Sequence, residues 1–174
     1  ASYENADTGV VASLREKFGS DGEAAGDIYA GIENLRGSDY EDELIGDDEA
    51  NLLEGLEGDD ILEGAGGDDT LDGGLGGDYA SFASALSGVT ANLITNTASS
   101  SITGTDTLVS IENLAGSLHA DTLTGDDEDN VLMGDAGNDI ISGGIGSDIL
   151  LGEVGADTLY GGAGEDLLSG GAGA

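Results

Sequence analysis

The sequence of 174 residues contains no cysteine, proline or tryptophan, and only three basic residues, Arg15, Lys17 and Arg36. Without cysteine the chain can form no disulfide framework. Its 37 acidic residues give a formal charge of -34, which excludes a nucleic-acid partner held by phosphate contacts and disfavours adhesion to anionic lipid. No apolar run is long enough to span a membrane, and no signal peptide is recognisable. The chain begins without Met and stops within a repeat, so we expect a piece of a longer protein.

Such a charge, combined with only seven aromatic residues, is typical of a disordered polyanion. Against that interpretation, the Leu and Ile residues are regularly spaced along much of the chain. Two interpretations therefore stay open at this point. The chain is either a disordered polyanion or a fold that requires cations.

A long internal repeat appears when the sequence is compared with itself at an offset of 79 residues. Ile32-Glu33-Asn34-Leu35 recurs as Ile111-Glu112-Asn113-Leu114, and 34 of the first 79 positions are identical to their partners without a gap. We therefore expect two modules, residues 1–79 and 80–174. Each begins with an irregular stretch (1–36 and 82–115) and continues with a shorter repeat (37–81 and 116–174).

The shorter repeat has a period of nine residues and three positional rules. Each unit begins with a glycine: Gly37, Gly46, Gly55, Gly64, Gly73, Gly116, Gly125, Gly134, Gly143, Gly152, Gly161. Five residues later stands Asp or Asn: Asp42, Asn51, Asp60, Asp69, Asp78, Asp121, Asn130, Asp139, Asp148, Asp157, Asp166. An aliphatic residue follows two positions after that, as at Leu62 and Leu150. Later units carry another glycine at the fourth position: Gly58, Gly67, Gly76, Gly137, Gly146, Gly155, Gly164.

A nine-residue unit accommodates a three-residue strand and a six-residue turn, but not a helix with its turn. The middle residue of each strand points inward, and glycine supplies the positive φ and close backbone approach of the turn. Two units make one flattened coil, and coils stack their strands in parallel. Ordering so many glycine-rich residues costs far more free energy than the burial of eleven aliphatic side chains provides. We therefore expect a positively charged ligand at the acidic turns.

The turns offer carboxylate oxygens and main-chain carbonyls, while His119 is the only imidazole in the chain. Such all-oxygen ligation selects a hard cation, and it suits Ca²⁺ better than Mg²⁺. Zinc is effectively excluded, because the chain has no cysteine and only one imidazole. The spacing of the EF-hand loop is absent as well.

The repeat G-G-x-G-x-D-x-U-x resembles that of the RTX family of hemolysin-type calcium-binding proteins. Its closest copies start at Gly143 and Gly161. The resemblance implies an all-β fold, a right-handed parallel β-roll (β-solenoid) with Ca²⁺ in the turns. It also implies ligation by the Asp and glycine carbonyls of turns n and n+2. Such pairs are Gly55–Asp60 with Gly73–Asp78, Gly134–Asp139 with Gly152–Asp157, and Gly143–Asp148 with Gly161–Asp166. About eight such sites is an upper limit, and roughly five to eight ions are expected.

The first two turns of each run depart from the motif. Tyr40 and His119 replace the fourth glycine of the first turns, which carry Asp42 and Asp121. The second turns have Glu49 and Glu128 there, together with Asn51 and Asn130 in place of Asp. We expect these turns to cap the roll or to bind calcium weakly. The irregular stretches should extend the roll or pack over its end.

We expect no enzymatic activity, because no nucleophile elbow or phosphate-binding loop is present and His119 is best explained as a capping-turn side chain. The resemblance implies export by type I secretion from a Gram-negative bacterium and folding on calcium outside the cell, with the roll as scaffold or spacer for neighbouring domains. The alternative is an adhesin, S-layer or polysaccharide-interaction segment at the cell surface.

Overall fold

The computed structural model describes residues 1–101 and 104–173, and they form an all-β structure with one short 3₁₀ turn at Gly22–Ala24. These residues divide into two compact units. The first consists of residues 1–80 with 104–111, and the second of residues 81–101 with 112–173. No helix in the described ranges is long and apolar enough to cross a membrane.

The strands are short, with three to six residues each. Those of the first unit are β1 (Val11–Ser13), β2 (Phe18–Asp21), β3 (Asn34–Arg36), β4 (Glu43–Ile45), β5 (Leu52–Glu57), β6 (Ile61–Glu63), β7 (Thr70–Leu75), β8 (Tyr79–Ser81, at the boundary) and β11 (Gly104–Val109). Those of the second are β9 (Val89–Asn92), β10 (Thr97–Ser100), β12 (Asn113–Ala115), β13 (Thr122–Thr124), β14 (Val131–Met133), β15 (Ile140–Ile145), β16 (Ile149–Leu151), β17 (Thr158–Ala163) and β18 (Leu167–Ser169).

Each unit is a β-solenoid with two parallel sheets. In the first unit, β1, β4, β6 and β8 form one sheet and β3, β5, β7 and β11 form the other. In the second unit the sheets are β12-β14-β16-β18 and β9-β13-β15-β17. Leu132 pairs with Leu150 and Leu150 with Leu168, a step of 18 residues. This step confirms that two nine-residue units make one coil.

The core of each unit is a ladder of inward-facing aliphatic side chains. In the first unit Leu53 pairs with Leu71, and Leu71 with Leu108, in consecutive strands of one sheet. All three are fully buried, as are Leu44 and Leu62 in the opposite sheet. All of these except Leu108 occupy the aliphatic position of the repeat. They share one face because alternation along a strand directs every second residue to the same side.

Strand length differs from the expected three residues in β5, β7, β15 and β17, which have six. In these strands the residue that follows the first glycine of the repeat unit adopts a positive φ, as Leu56 (96°) and Gly144 (116°) do. The chain bends there and then returns to the sheet, so that Leu56 pairs with Gly74 and Gly144 with Gly162. The turn therefore begins inside the hydrogen-bonded ladder.

The irregular stretches extend the solenoids, but each also contains an antiparallel hairpin. β1 pairs with β2 through a β-bulge, and β9 pairs with β10 in regular register. β3 and β12 join the parallel sheets by pairing with β5 and β14. The hairpins follow from the polar turns at Leu14–Lys17 and Leu93–Asn96, where Lys17 and Asn96 adopt positive φ angles.

One segment of the second predicted module lies with the first unit. Residues 104–111 belong to the compact unit formed by residues 1–80, in which β11 pairs with β7. The sequence offset of 79 residues could not reveal this, because it aligns the segment with residues 25–32 rather than with a strand of the repeat. Residues 102, 103 and 174, also assigned to the second module, lie outside the described residues.

The ladder predicts a large effect for one core substitution. Leu132→Ala removes a fully buried side chain between two coils, and we expect a loss of about 2–5 kcal/mol in the free energy of unfolding. Chemical denaturation in saturating calcium measures this loss. Leu118→Ala, at a side chain that is 67% exposed, is the matched control and should cost less than about 1 kcal/mol. Equal losses for the two variants would contradict the assignment of the core.

Candidate metal centre

The Asp side chains of the turns form columns along each solenoid. The main-chain N–H of Asp60 donates to Oδ1 of Asp78 (2.9 Å), and that of Asp42 donates to Oδ1 of Asp60 (2.8 Å). In the second unit, Asp139 and Asp148 stand in the same relation to Asp157 (3.0 Å) and Asp166 (3.1 Å). Each such bond joins residues 18 apart. The structure thus brings together the turns n and n+2 of the predicted pairs.

The second carboxylate oxygen of these side chains has a different environment. Oδ2 is buried and accepts no hydrogen bond, within the described part of the chain, at five positions: Asp60, Asp69, Asp139, Asp148, Asp157. A buried carboxylate oxygen without a donor is costly unless another positive group satisfies it. These oxygens are therefore candidate ligands for a cation.

Main-chain carbonyls of the next coil lie beside two of these orphaned oxygens, those of Asp60 and Asp148. A Cβ atom placed on Gly55 would clash with Oδ2 of Asp60 and would lie 2.6 Å from the carbonyl oxygen of Gly73. On Gly143 it would meet Oδ2 of Asp148 and, at 2.6 Å, the carbonyl oxygen of Gly161. The first glycine of the repeat is thus required by close approach. Carboxylate and carbonyl oxygens from two stacked turns converge on it.

The fourth glycine has a separate role in the turn. Gly58 adopts a φ of 119°, and a Cβ atom there would lie 2.5 Å from the main-chain carbonyl carbon of Tyr40 in the preceding coil. Gly137 has a φ of 154° and approaches the carbonyl of His119 in the same way. A side chain at Gly58 or Gly137 would therefore push the two stacked coils apart.

This donor set fits a calcium ion. No group of three or more His, Cys, Asp or Glu side chains is arranged around a common point in the ranges 1–101 and 104–173. The oxygens beside the orphaned carboxylates come instead from the main chain, as at Gly73 and Gly161. Calcium accepts mixed carboxylate and carbonyl ligation with flexible geometry, whereas Mg²⁺ demands a near-ideal octahedron.

Without a cation, burial and mutual repulsion act against ionisation of the turn carboxylates. Burial raises the pKa of Asp60 to about 7, and the charges of Asp42 and Asp78 act in the same direction. Burial likewise raises the pKa of Asp69 to about 7 and that of Asp106 to about 6. The pKa values of Asp139 and Asp148 are also raised, mainly by burial. A bound divalent cation opposes each of these shifts.

The first turn of each run satisfies its carboxylate from within the protein. Oδ2 of Asp42 accepts the main-chain N–H of Ser38 (2.6 Å), and Oδ1 accepts the Ser38 hydroxyl (2.9 Å). Asp121 receives the same two bonds from Ser117, at 2.6 and 2.9 Å. Tyr40 and His119, the residues that replace the fourth glycine here, are exposed, and the main-chain N–H of His119 donates to the Ser117 hydroxyl (3.1 Å).

The second turns are satisfied in a related way. Oδ1 of Asn51 accepts the N–H of Asp47 (2.7 Å), and its amide donates to the carbonyl of Glu33 (2.8 Å). Asn130 makes the corresponding bonds with Asp126 and Glu112, both at 2.8 Å. The amide NH₂ of Asn here supplies a donor that Asp lacks.

Backbone conformation separates these four turns from the seven later ones. The residue after the first glycine has a positive φ in every later turn: Leu56, Ala65, Gly74, Asp135, Gly144, Glu153, Gly162. In the four early turns this residue does not have a positive φ, and its N–H donates to the Asp or Asn side chain of the same turn. A positive φ at this residue therefore accompanies the loss of its N–H as a donor to the turn carboxylate. Except where the residue is glycine, its type does not predict whether the turn is of the early or the later kind.

Sequence reasoning missed one residue of the columns, Asp106. Its Oδ1 accepts the main-chain N–H of Asp69 (3.1 Å), as Oδ1 of Asp78 does for Asp60. The signal was present in Gly104-Thr105-Asp106-Thr107-Leu108, which preserves the second half of the repeat. It was overlooked because no glycine stands at the first position, which Ser101 occupies.

Comparison with known proteins agrees with this geometry. The family model of the RTX calcium-binding nonapeptide repeat matches residues 45–80, 115–150 and 142–174, together more than half of the chain. A search of curated proteins finds no match.

The raised pKa values predict an unusual pH dependence for the metal-free protein. Between the ordinary Asp value of 3.8 and about 7, the folded turns of Asp60 and Asp69 bind protons that the unfolded chain does not. Stability without metal should therefore be greatest at acid pH and fall as the pH rises through about 7. Circular dichroism of calcium-stripped protein should show more β-structure near pH 5 than near pH 8. A metal-free chain that gains structure as the pH rises would contradict this.

Proposed function

Because the chain belongs to the RTX calcium-binding nonapeptide repeat family, we propose that calcium binding in the later turns drives the folding of both units outside the cell. Roughly five to eight ions bind per chain. The role is structural: the folded rolls act as a scaffold or spacer within a larger protein. We propose no catalytic activity for these residues.

The buried, unsatisfied Oδ2 atoms carry this proposal. The ligands come from the turn aspartates of the later coils and from the glycine carbonyls stacked beside them, as at Asp60 with Gly73 and Asp148 with Gly161. Each ion would satisfy an oxygen that otherwise has no donor, and it would neutralise the repulsion between stacked carboxylates. The turns of Asp42, Asn51, Asp121 and Asn130 act as metal-free caps, because their side chains are already hydrogen-bonded.

The high negative charge of the chain supports folding that is controlled by the calcium concentration. A chain of charge -34 repels itself when compact, so folding depends on the cation. Since calcium binds the folded turns, its binding free energy becomes folding free energy. Low cytosolic calcium keeps the chain unfolded for type I secretion from a Gram-negative bacterium, and high external calcium folds it after export.

A calcium titration followed by circular dichroism tests the proposal. In excess chelator near pH 7.5 we expect a largely unfolded spectrum, which changes cooperatively to β-structure as calcium is added and reverts with chelator. Magnesium at equal concentration should have much less effect, because the turns offer flexible oxygen ligation rather than an octahedron. A chain with the same β-structure in excess chelator as in calcium would refute the proposal.

A single charge change locates the ions in the turns. Asp148→Asn removes one carboxylate oxygen but keeps Oδ1 as the acceptor for the N–H of Asn130. We expect a weaker calcium midpoint, equivalent to about 1–3 kcal/mol at that site, measured by isothermal titration calorimetry. Asp127→Asn removes the same charge from an exposed turn position and is the matched control. If both variants shift the midpoint equally, net charge rather than ligation governs binding.

A further inference from the structure

The strand β11 (Gly104–Val109) lies outside all three regions that match the repeat family, yet it takes the place of a repeat coil. Thr107 pairs with Thr70 and Leu108 with Leu71 in parallel register. Leu108 is buried like the aliphatic residue of a nonapeptide. β11 therefore continues the sheet of the first unit beyond β7.

The turn before β11 reproduces the contacts of a stacked repeat turn. The N–H of Thr105 donates to Oδ1 of Asp68 (2.9 Å), as that of Gly77 does to Asp59 (2.8 Å). Gly104 adopts a φ of 93° and lies against the carbonyl of Gly67, the fourth glycine of the coil before it. The turn Gly104–Asp106 thus stacks on Gly64–Asp69 although the two are 37 residues apart.

Two buried carboxylates, those of Asp69 and Asp106, lie close together in this stack. Asp69 is 2% exposed and Asp106 is 4% exposed. Within the described part of the chain, Oδ2 of Asp69 accepts no hydrogen bond, and a Cβ atom placed on Gly64 would clash with it. Among the described residues, neither carboxylate forms an ion pair with a basic side chain. Burial and the charge of Asp106 both oppose ionisation of Asp69.

We propose that Asp69 and Asp106 hold a calcium ion between the turns Gly64–Asp69 and Gly104–Asp106, a site outside the matched repeats. The chemistry is that of a hard divalent cation held between two carboxylates, one of which has a buried oxygen without a donor among the described residues. The proposal rests on the proposed calcium-dependent folding. It adds a site whose second half comes from a non-repeat segment.

The consequence is a calcium-dependent attachment of β11. Hydrogen bonds such as that from the N–H of Thr107 to the carbonyl of Asp69 (2.8 Å) require the two turns to be in contact. Without a cation, the two carboxylates repel each other at that contact. Calcium would therefore fasten residues 104–109 to β7.

The test is Asp106→Asn in the full chain. Asn keeps Oδ1 as an acceptor for the N–H of Asp69, and Asn51 and Asn130 already occupy this turn position in other coils. The control is Asp27→Asn, 79 residues earlier in the internal repeat, where the carboxylate is exposed and accepts the hydroxyl of Tyr3 (2.8 Å). Native mass spectrometry in calcium counts the ions bound to each chain.

We expect Asp106→Asn to bind one calcium ion fewer than the wild type, and Asp27→Asn to bind the same number. An unchanged ion count and unchanged calcium midpoint for Asp106→Asn would overturn the inference while leaving the proposed function intact. A wild-type chain that binds no calcium would overturn the proposed function itself.

Hydrogen exchange on the wild-type chain provides a measurement that does not depend on the variant folding. Amides of residues 104–109 should become protected at the same calcium concentration as those of residues 64–72. Protection of residues 64–72 alone, with 104–109 exchanging equally fast with and without calcium, would contradict the site.

Discussion

The structure depends on how each turn satisfies a buried carboxylate. Stacking coils 18 residues apart places Asp above Asp, as with Asp60 and Asp78. One oxygen of each accepts a main-chain N–H. In the later turns the other oxygen has no donor within the described part of the chain, as at Asp60 and Asp148. Because burial and repulsion act on the same oxygens, the fold is linked to whatever positive charge reaches them.

In the early turns the buried side-chain oxygens are hydrogen-bonded within the protein. At Asp42 and Asp121, a serine N–H and hydroxyl from the same turn satisfy both oxygens, and at Asn51 and Asn130 an amide replaces the carboxylate. Under the proposed function, these coils take no ion and bound the calcium-dependent part of each unit. The conformation of the residue after the first glycine distinguishes the two kinds of turn. A positive φ there accompanies the loss of its N–H as a donor to the turn carboxylate.

Much of the fold was predictable, because a nine-residue period leaves few ways to bury one aliphatic side chain per unit. The inward positions, such as Leu53 and Leu132, and the 18-residue step between stacked coils follow from strand alternation. The six-residue strands and the hairpins β1–β2 and β9–β10 do not follow from it. They depend on local φ angles and on pairing between segments whose composition is similar to that of the neighbouring loops.

Asp27 and Asp106 show where the sequence stops being sufficient. They are equivalent in the 79-residue repeat, and each is followed two positions later by a large side chain, Tyr29 or Leu108. Asp27 is exposed and bonded to Tyr3, whereas Asp106 is buried against Asp69. By itself the sequence determined the period, the inward residues and the oxygen-rich turns, because these depend on spacing and residue type. The tertiary structure alone decided which carboxylates meet, since that depends on which sheet edge is open to pair with each segment.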